Sequence, residues 1–245
     1  MRRYPIKMCK DLSGFIAENF KNLTGLLFLM HILAIADIHG NRRKLRDILA
    51  RAQPADVIVL AGDITHLGSP DEAAEAVELC EACAPAVLTV SGNCDDELIE
   101  KRMAADCHSL TGTGRVLDGV GFFGVSAAAP HIGNTWEVSE TQLGAWLASG
   151  YAAVAGAAHK VLVSHPPPLG LVDLAYTRKH GGSQAVRAAL DEYAIQLVVC
   201  GHIHEARGLT QYNGTTVVNC GPAWMGFYAA IELAEEVRIG LEQVS

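Results

Sequence analysis

No apolar run in the 245-residue chain reaches the ~18 residues that a bilayer-spanning helix needs. No Lys/Arg cluster stands out beyond Arg42-Arg43-Lys44, and the formal net charge is −8. The basic face of a duplex-binding protein is therefore missing. Neither membrane insertion nor stable nucleic-acid binding is expected, although a nucleotide substrate is compatible with this charge. No Pro/Ser/Gly-rich linker or charge run divides the chain, and no internal repeat is visible, which favours one domain with one large core. The seven cysteines are odd in number and scattered. That suits a reducing compartment, not a disulfide framework, and a cytoplasmic location is expected. Cys80 and Cys83 form a lone CxxC and read as two small helix residues.

Residues 1–29 stand apart. Arg2, Arg3, Lys7 and Lys10 resemble the start of a signal peptide, but Asp11, Glu18 and Lys21 break the apolar stretch that should follow. Leu12, Phe15, Ile16, Phe20 and Leu23 would form one face of a short helix. Two readings compete: a surface helix, or an upstream extension with Met30 as the natural start. The second is favoured, because the domain pattern begins abruptly at His31. The expected organisation is an extension over 1–29 and one domain over 30–245.

From Met30 onward strand, turn and helix signals alternate. Strands are predicted at 31–36, 56–60 and 86–90, with helices at about 41–52, 71–83 and 95–104. That is a βαβαβ pattern, which needs a parallel sheet. Asp118-Gly119 and Asn213-Gly214 mark hairpins. Further helices are predicted at about 139–148 and 182–193, and strands at 160–164, 196–200, 226–233 and 236–241. Two mixed sheets packed face to face, with helices outside, accommodate both halves.

Metal-binding side chains recur at the strand ends. Asp37 and His39 end the first strand, Asp63 the second, Asn93 the third; His165 follows "KVLVS", and His202 and His204 follow "LVVCG". In α/β sheets, residues past the carboxyl ends of parallel strands meet in one crevice. Carboxylate oxygen, amide oxygen and imidazole nitrogen together suit borderline divalent metals such as Mn, Fe, Zn or Ni. Seven ligands exceed the needs of one ion and suffice for two that share a carboxylate. Gly40, Gly62, Gly92 and Gly201 beside them permit tight turns.

The ordered blocks Asp37-x-His39, Gly62-Asp63, Gly92-Asn93, His165 and Gly201-His202-x-His204 resemble the calcineurin-like metallophosphoesterases, over His31 to about Asn219. The resemblance implies a four-layer αββα sandwich, α/β in class, with a dinuclear centre. It implies that Asp37, His39, Asp63 and His204 hold one ion. Asp63, Asn93, His165 and His202 would hold the other, with Asp63 bridging. The Asp-Arg-Gly and Arg signatures of the protein phosphatases are absent from "GDITHLG" and "VSGNCDD". Cys94 stands where many members carry a phosphate-contacting His. The small prokaryotic branch reading Gly-Asn-Cys-Asp matches, and phosphodiesterase activity is its usual assignment.

The expected chemistry follows. Two metals ~3.5–4 Å apart lower the pKa of a bridging water, and the hydroxide attacks phosphorus in line. Asp63, Asn93 and Cys94 are the catalytic candidates, with two divalent ions, Mn first, as cofactors and a small-molecule phosphate ester as substrate. Asn93 offers its amide hydrogens to phosphate, and His131 is the other candidate substrate contact. Cys94 is a weak general acid or simply a small buried residue. Asp95 either orients a ligand or caps the following helix, and the cap is favoured; His66 either reaches the pocket rim or lies in a surface loop, and the loop is favoured; Trp224 reads as loop packing. Alternatives are a phosphomonoesterase or nucleotide pyrophosphohydrolase of the same fold, or a non-catalytic scaffold resembling the retromer subunit.

Overall fold

Short β-branched runs flanked by capped helices set the architecture of the computed structural model, which describes residues 28–130, 133 and 136–245. Strands β1 (Met30–Ile35), β2 (Val57–Ala61) and β3 (Val87–Val90) alternate with helices α1 (Arg42–Arg51), α2 (Pro70–Glu81) and α3 (Glu97–Ala105). The hairpin β4 (Gly114–Leu117) and β5 (Val120–Val125) follows, then α4 (Glu140–Ala153), β6 (His159–Ser164), α5 (Gln184–Glu192) and β7 (Leu197–Cys200). The hairpin β8 (Gly208–Tyr212) and β9 (Thr215–Asn219) precedes β10 (Phe227–Leu233) and β11 (Val237–Gln243). The helix starts are locally encoded. Asn41, Ser69, Asp96, Ser139 and Ser183 each accept a backbone N–H from the first turn.

The strands form two mixed sheets, in the orders β11-β10-β1-β2-β3 and β4-β5-β6-β7-β9-β8. In the first sheet β1, β2 and β3 run parallel to one another while β10 and β11 join antiparallel on the other side; in the second β5, β6, β7 and β9 are parallel, with β4 and β8 antiparallel at the two edges. Alternation along each strand sends Ile32, Ala34, Val57 and Val59 inward against Phe122, Val161, Val163 and Val199 of the other sheet. The outward residues Ile35, Ile58 and Leu60 meet Leu45, Ile48, Val77 and Met103 from α1, α2 and α3. Phe123, Leu162 and Val198 meet Leu143, Leu147 and Leu190 from α4 and α5. Three cores thus separate four layers, the αββα sandwich expected from the sequence.

The chain folds as the sequence indicated, with one helix longer. Helix α4 runs to Ala153, past the expected end near 148. Within it, Gly150 lets the helix approach β5 and its neighbouring turn. A side chain there would press on the Thr113 carbonyl and Phe123. Cys80 is buried under α2 while Cys83 is exposed in the turn beyond it, and both are free thiols. No helix among the described residues is long and apolar enough to cross a membrane.

Phe122 is fully buried between the two sheets. Phe122→Ala is expected to lower unfolding free energy by about 3–5 kcal/mol in a urea titration, through lost burial and a residual cavity. A change below about 1 kcal/mol would contradict this placement.

Candidate metal centre

The carboxyl ends of β1, β2, β3, β6 and β7 share one edge of the sandwich, and the loops leaving them are laced together. Asp37, His39 and Gly40 donate their backbone N–H groups to the carbonyls of Gly62, Asp63 and Ile64 at 2.9–3.0 Å. The second sheet is tied in by two longer-range bonds. The His202 N–H donates to the Asp37 carboxylate at 3.0 Å. His165 Nδ1 lies 3.0 Å from the Ala61 carbonyl, which can only accept, so Nδ1 carries the proton. In the neutral ring His165 Nε2 then presents a lone pair towards Asn93 Oδ1 at 2.9 Å and Asp63 Oδ1 at 3.5 Å. Three acceptors facing one another are an arrangement that a cation completes.

The rest of the cluster extends this pattern. His39 Nε2 lies 3.3 Å from His204 Nε2 and 3.6 Å from Asp63 Oδ2, and His204 Nε2 is 3.4 Å from Asp37 Oδ1. Asp63 therefore turns one oxygen towards His39 and the other towards His165. Asp37, His39 and His204 form one group of donors within metal-binding distance, and Asp37, Asp63 and His165 another. His202 reaches the cluster through its backbone, and its ring packs edge-on against His165 with centroids 4.9 Å apart. The seven residues singled out by the strand-end pattern thus converge. His131 lies outside the described residues.

Electrostatics favour a cation in this cage. Asp37 and Asp63 are 0 % and 2 % exposed. Their ion pairs are all with histidines: His39, His165 and His204. Burial works to raise the Asp37 pKa, but the His204 hydrogen bond and the neighbouring imidazoles outweigh it and hold the carboxyl below its usual value. Burial lowers the His39 pKa against the pull of Asp63 and Asp37, so this imidazole is biased towards neutral. His204 goes the other way: burial opposes its charge, but the hydrogen bond to Asp37 and the nearby carboxylates raise it. Buried carboxylates facing imidazole lone pairs fit divalent metal ions by charge and by donor chemistry.

The backbone is bent to achieve this. Asp37, His39, Asp63 and His202 adopt left-handed φ values of 54°, 47°, 48° and 68°. For residues other than glycine such geometry is costly and gathers at functional sites. The neighbouring glycines divide into two kinds. Gly40 (φ +72°) serves the turn alone, with nothing within 4 Å of a would-be Cβ. Gly92 and Gly201 serve space: a Cβ would collide with the Asp63 carboxylate at Gly92 and the Asp37 carboxylate at Gly201. Gly62 (φ +90°) does both, since its Cβ would overlap the His165 ring.

Two neighbouring residues, Asp95 and Trp224, differ from expectation. Asp95 is not the cap of α3; Asp96 is, through the Ile99 N–H at 2.8 Å. Asp95 is fully buried and accepts the N–H groups of Ile64, Thr65 and Gly92 and the Thr65 hydroxyl, pinning the second ligand loop to the third. Burial and the adjacent Asp63 push its pKa up to about 6. The sequence offered a hint, since only the second of two adjacent aspartates can cap a helix starting at Glu97. His66 is exposed, yet its Nδ1 lies 3.3 Å from His39 Nδ1 and it groups with His39 and Cys94. Trp224 is half-exposed beside His204, not packed away in a loop. Cys94 donates its backbone N–H to Asp63 Oδ1 at 2.7 Å, and burial followed by the Asp63 charge raises its thiol pKa. A buried carboxylate that the motif gave no sign of, Glu100, accepts the Ser91, Ser109 and Ser126 hydroxyls and anchors the third loop to β5. A cavity of ≈ 840 Å³ lined by His31, Asp56, Ala230 and Arg238 contains none of these residues.

A model of the calcineurin-like phosphoesterases matches residues 30–206. The chain belongs to the calcineurin-like phosphoesterase family. This family of phosphoester hydrolases uses divalent metals, in accord with the donor set above. The chain is 30 % identical over 204 residues to the uncharacterized protein MJ1162 of Methanocaldococcus jannaschii, covering 79 % of this chain and 88 % of that one. It is 26 % identical over 204 residues to the cAMP/cGMP dual specificity phosphodiesterase MT0825 of Mycobacterium tuberculosis, covering 74 % of this chain and 63 % of that protein. The crystal structure of TT1561 of Thermus thermophilus superposes with a TM-score of 0.69 at 17 % identity, over 87 % of this chain and 99 % of that one. That likeness shows that the two chains share a fold.

The two kinds of glycine should behave differently. Gly92→Ala and Gly201→Ala are expected to abolish Mn binding in calorimetry, because the new methyl displaces a carboxylate. Gly40→Ala should cost about 1 kcal/mol of stability through its left-handed φ and leave Mn binding intact. Normal Mn affinity in Gly92→Ala would contradict this account.

Proposed function

We propose that this chain is a dinuclear-metal-dependent phosphodiesterase acting on small phosphate esters. The observation that carries the reading is Asp63, whose two oxygens face the His39 and His165 sides of the cluster at 3.6 and 3.5 Å. In this reading Asp37, His39, Asp63 and His204 hold one divalent ion, and Asp63, Asn93, His165 and His202 the other. Mn is the proposed metal, with Fe, Zn or Ni as alternatives. Ions held there supply Lewis acidity towards phosphoryl oxygens and activation of water.

The protein's own groups do the rest. Asn93 has a polar division of labour: its oxygen faces His165, and its amide nitrogen, 3.6 Å from the Cys94 sulfur, is placed to donate to a phosphoryl oxygen. His165 is locked in one tautomer by the Ala61 carbonyl. His66 can play the same part for His39, accepting its Nδ1–H so that Nε2 faces the cage. Cys94 is expected to give little acid assistance, since a thiol is a weak general acid near neutral pH. Esters with good leaving groups are the favoured substrates. The mycobacterial relative is a cyclic-nucleotide phosphodiesterase, which supports a diester over a monoester. The retention of all seven donors argues against a purely scaffolding role.

With Mn added, bis(p-nitrophenyl) phosphate should be hydrolysed with a higher kcat/KM than p-nitrophenyl phosphate. Asp63→Asn should lower kcat by about two to three orders of magnitude, as loss of a central electrostatic group does. Hydrolysis of neither ester, or equal rates in wild type and Asp63→Asn, would overturn the proposal.

A further inference from the structure

Large apolar side chains left exposed are informative when they gather. Of the several large apolar side chains exposed among the described residues, Leu67, Tyr176, Trp224 and Met225 sit on or beside the segments that meet the metal-centre loops. The Leu67 N–H donates to the Cys94 carbonyl at 3.0 Å. The Tyr176 N–H donates to Glu205 Oε1 at 2.6 Å, and Glu205 directly follows His204. The Trp224 N–H donates to the Asp37 carbonyl at 3.2 Å. Leu67, Tyr176 and Trp224 are thus each tied by the backbone to a ligand-bearing loop.

Trp224 is the most firmly mounted of them. It lies in the 3-10 turn Ala223–Met225, which Gly226 closes at φ +90° by donating its N–H to the Ala223 carbonyl at 2.8 Å. The Asn41 side-chain amide, two residues past His39, donates to the Trp224 carbonyl at 3.3 Å. The indole is 41 % exposed, its neighbour Met225 is 45 % exposed, and its ring centroid lies 6.4 Å from that of His204. A rigidly held aromatic ring gives contact area at little entropic cost, because its backbone is already fixed. A flat ligand group gains the whole face of an indole, whereas an alkyl chain gains only a stripe of it.

We propose that Trp224, with Met225 beside it, is a stacking platform for a planar heteroaromatic group of the ester, so that the substrates are nucleoside phosphodiesters. This rests on the phosphodiesterase reading and narrows it. The phosphate occupies the metal centre and the base lies on the indole. Base stacking on an aromatic side chain tolerates different bases, so purines and pyrimidines should both be accepted.

The test is calorimetric titration of Mn-loaded protein with adenosine 5′-monophosphate and with methyl phosphate, which share the phosphate and differ in the base. Wild type should bind the nucleotide about tenfold more tightly, the size of one stacking contact. Trp224→Ala should lose that preference, with methyl phosphate affinity moving less than twofold. Trp224→Phe should keep part of it and serves as the control for folding. An undiminished preference in Trp224→Ala, or none in wild type, overturns the platform. Hydrolysis of bis(p-nitrophenyl) phosphate by the same preparations separates the two ideas. Turnover without base preference defeats the platform alone, and base preference without turnover defeats the assigned reaction.

Discussion

The structure depends on keeping two buried carboxylates, Asp37 and Asp63, a short distance apart, with no lysine or arginine among the described residues in their ion pairs. Their compensation comes from imidazoles and backbone N–H groups, and one of those imidazoles, His39, is biased away from the charged form. Without further positive charge this is an expensive arrangement in a buried setting. A divalent cation changes its sign, turning mutual repulsion into shared coordination. The cage therefore belongs to a protein whose stability and metal binding are linked.

The scaffold makes that concentration of charge possible by spreading its cost. Three apolar cores, one between the sheets and one beneath each helical layer, stabilise the sandwich far from the polar edge. Parallel strands deliver their carboxyl ends to one place, and Asp37, His39, Asp63 and His202 adopt left-handed backbone in the loops that leave them. Asp95 and Glu100 then fix the loops to one another with hydrogen bonds that do not involve the ligands' own donor atoms. Rigidity at the site is thus supplied from behind, by buried carboxylates that collect N–H and O–H donors.

Much of this was legible in the chain. Strands with β-branched runs and helices with Ser, Asn or Asp caps carry local signals, and both declare themselves. The candidate ligands were legible because each follows an apolar run, a position that parallel topology makes convergent. What escaped was set by tertiary proximity. Asp95 and Asp96 are chemically identical neighbours, and only the exact start of α3 assigns the cap to one and the loop staple to the other. His66 looked like a surface histidine because it is one, and its approach to His39 depends on how two loops meet. Gly92 and Gly201 looked like turn formers, yet their role is to leave room for carboxylates contributed by other strands. Trp224 gave no periodic signal, since a 3-10 turn places it. The expectations for residues 1–27 and for His131 fall outside the described residues.

The most direct test of the cage is anomalous diffraction from crystals of the Mn-loaded protein, collected at the manganese edge. The account predicts two anomalous peaks per chain, one contacted by Asp37, His39 and His204 and the other by Asn93, His165 and His202, with Asp63 touching both. A single peak, or peaks away from Asp63, would contradict it.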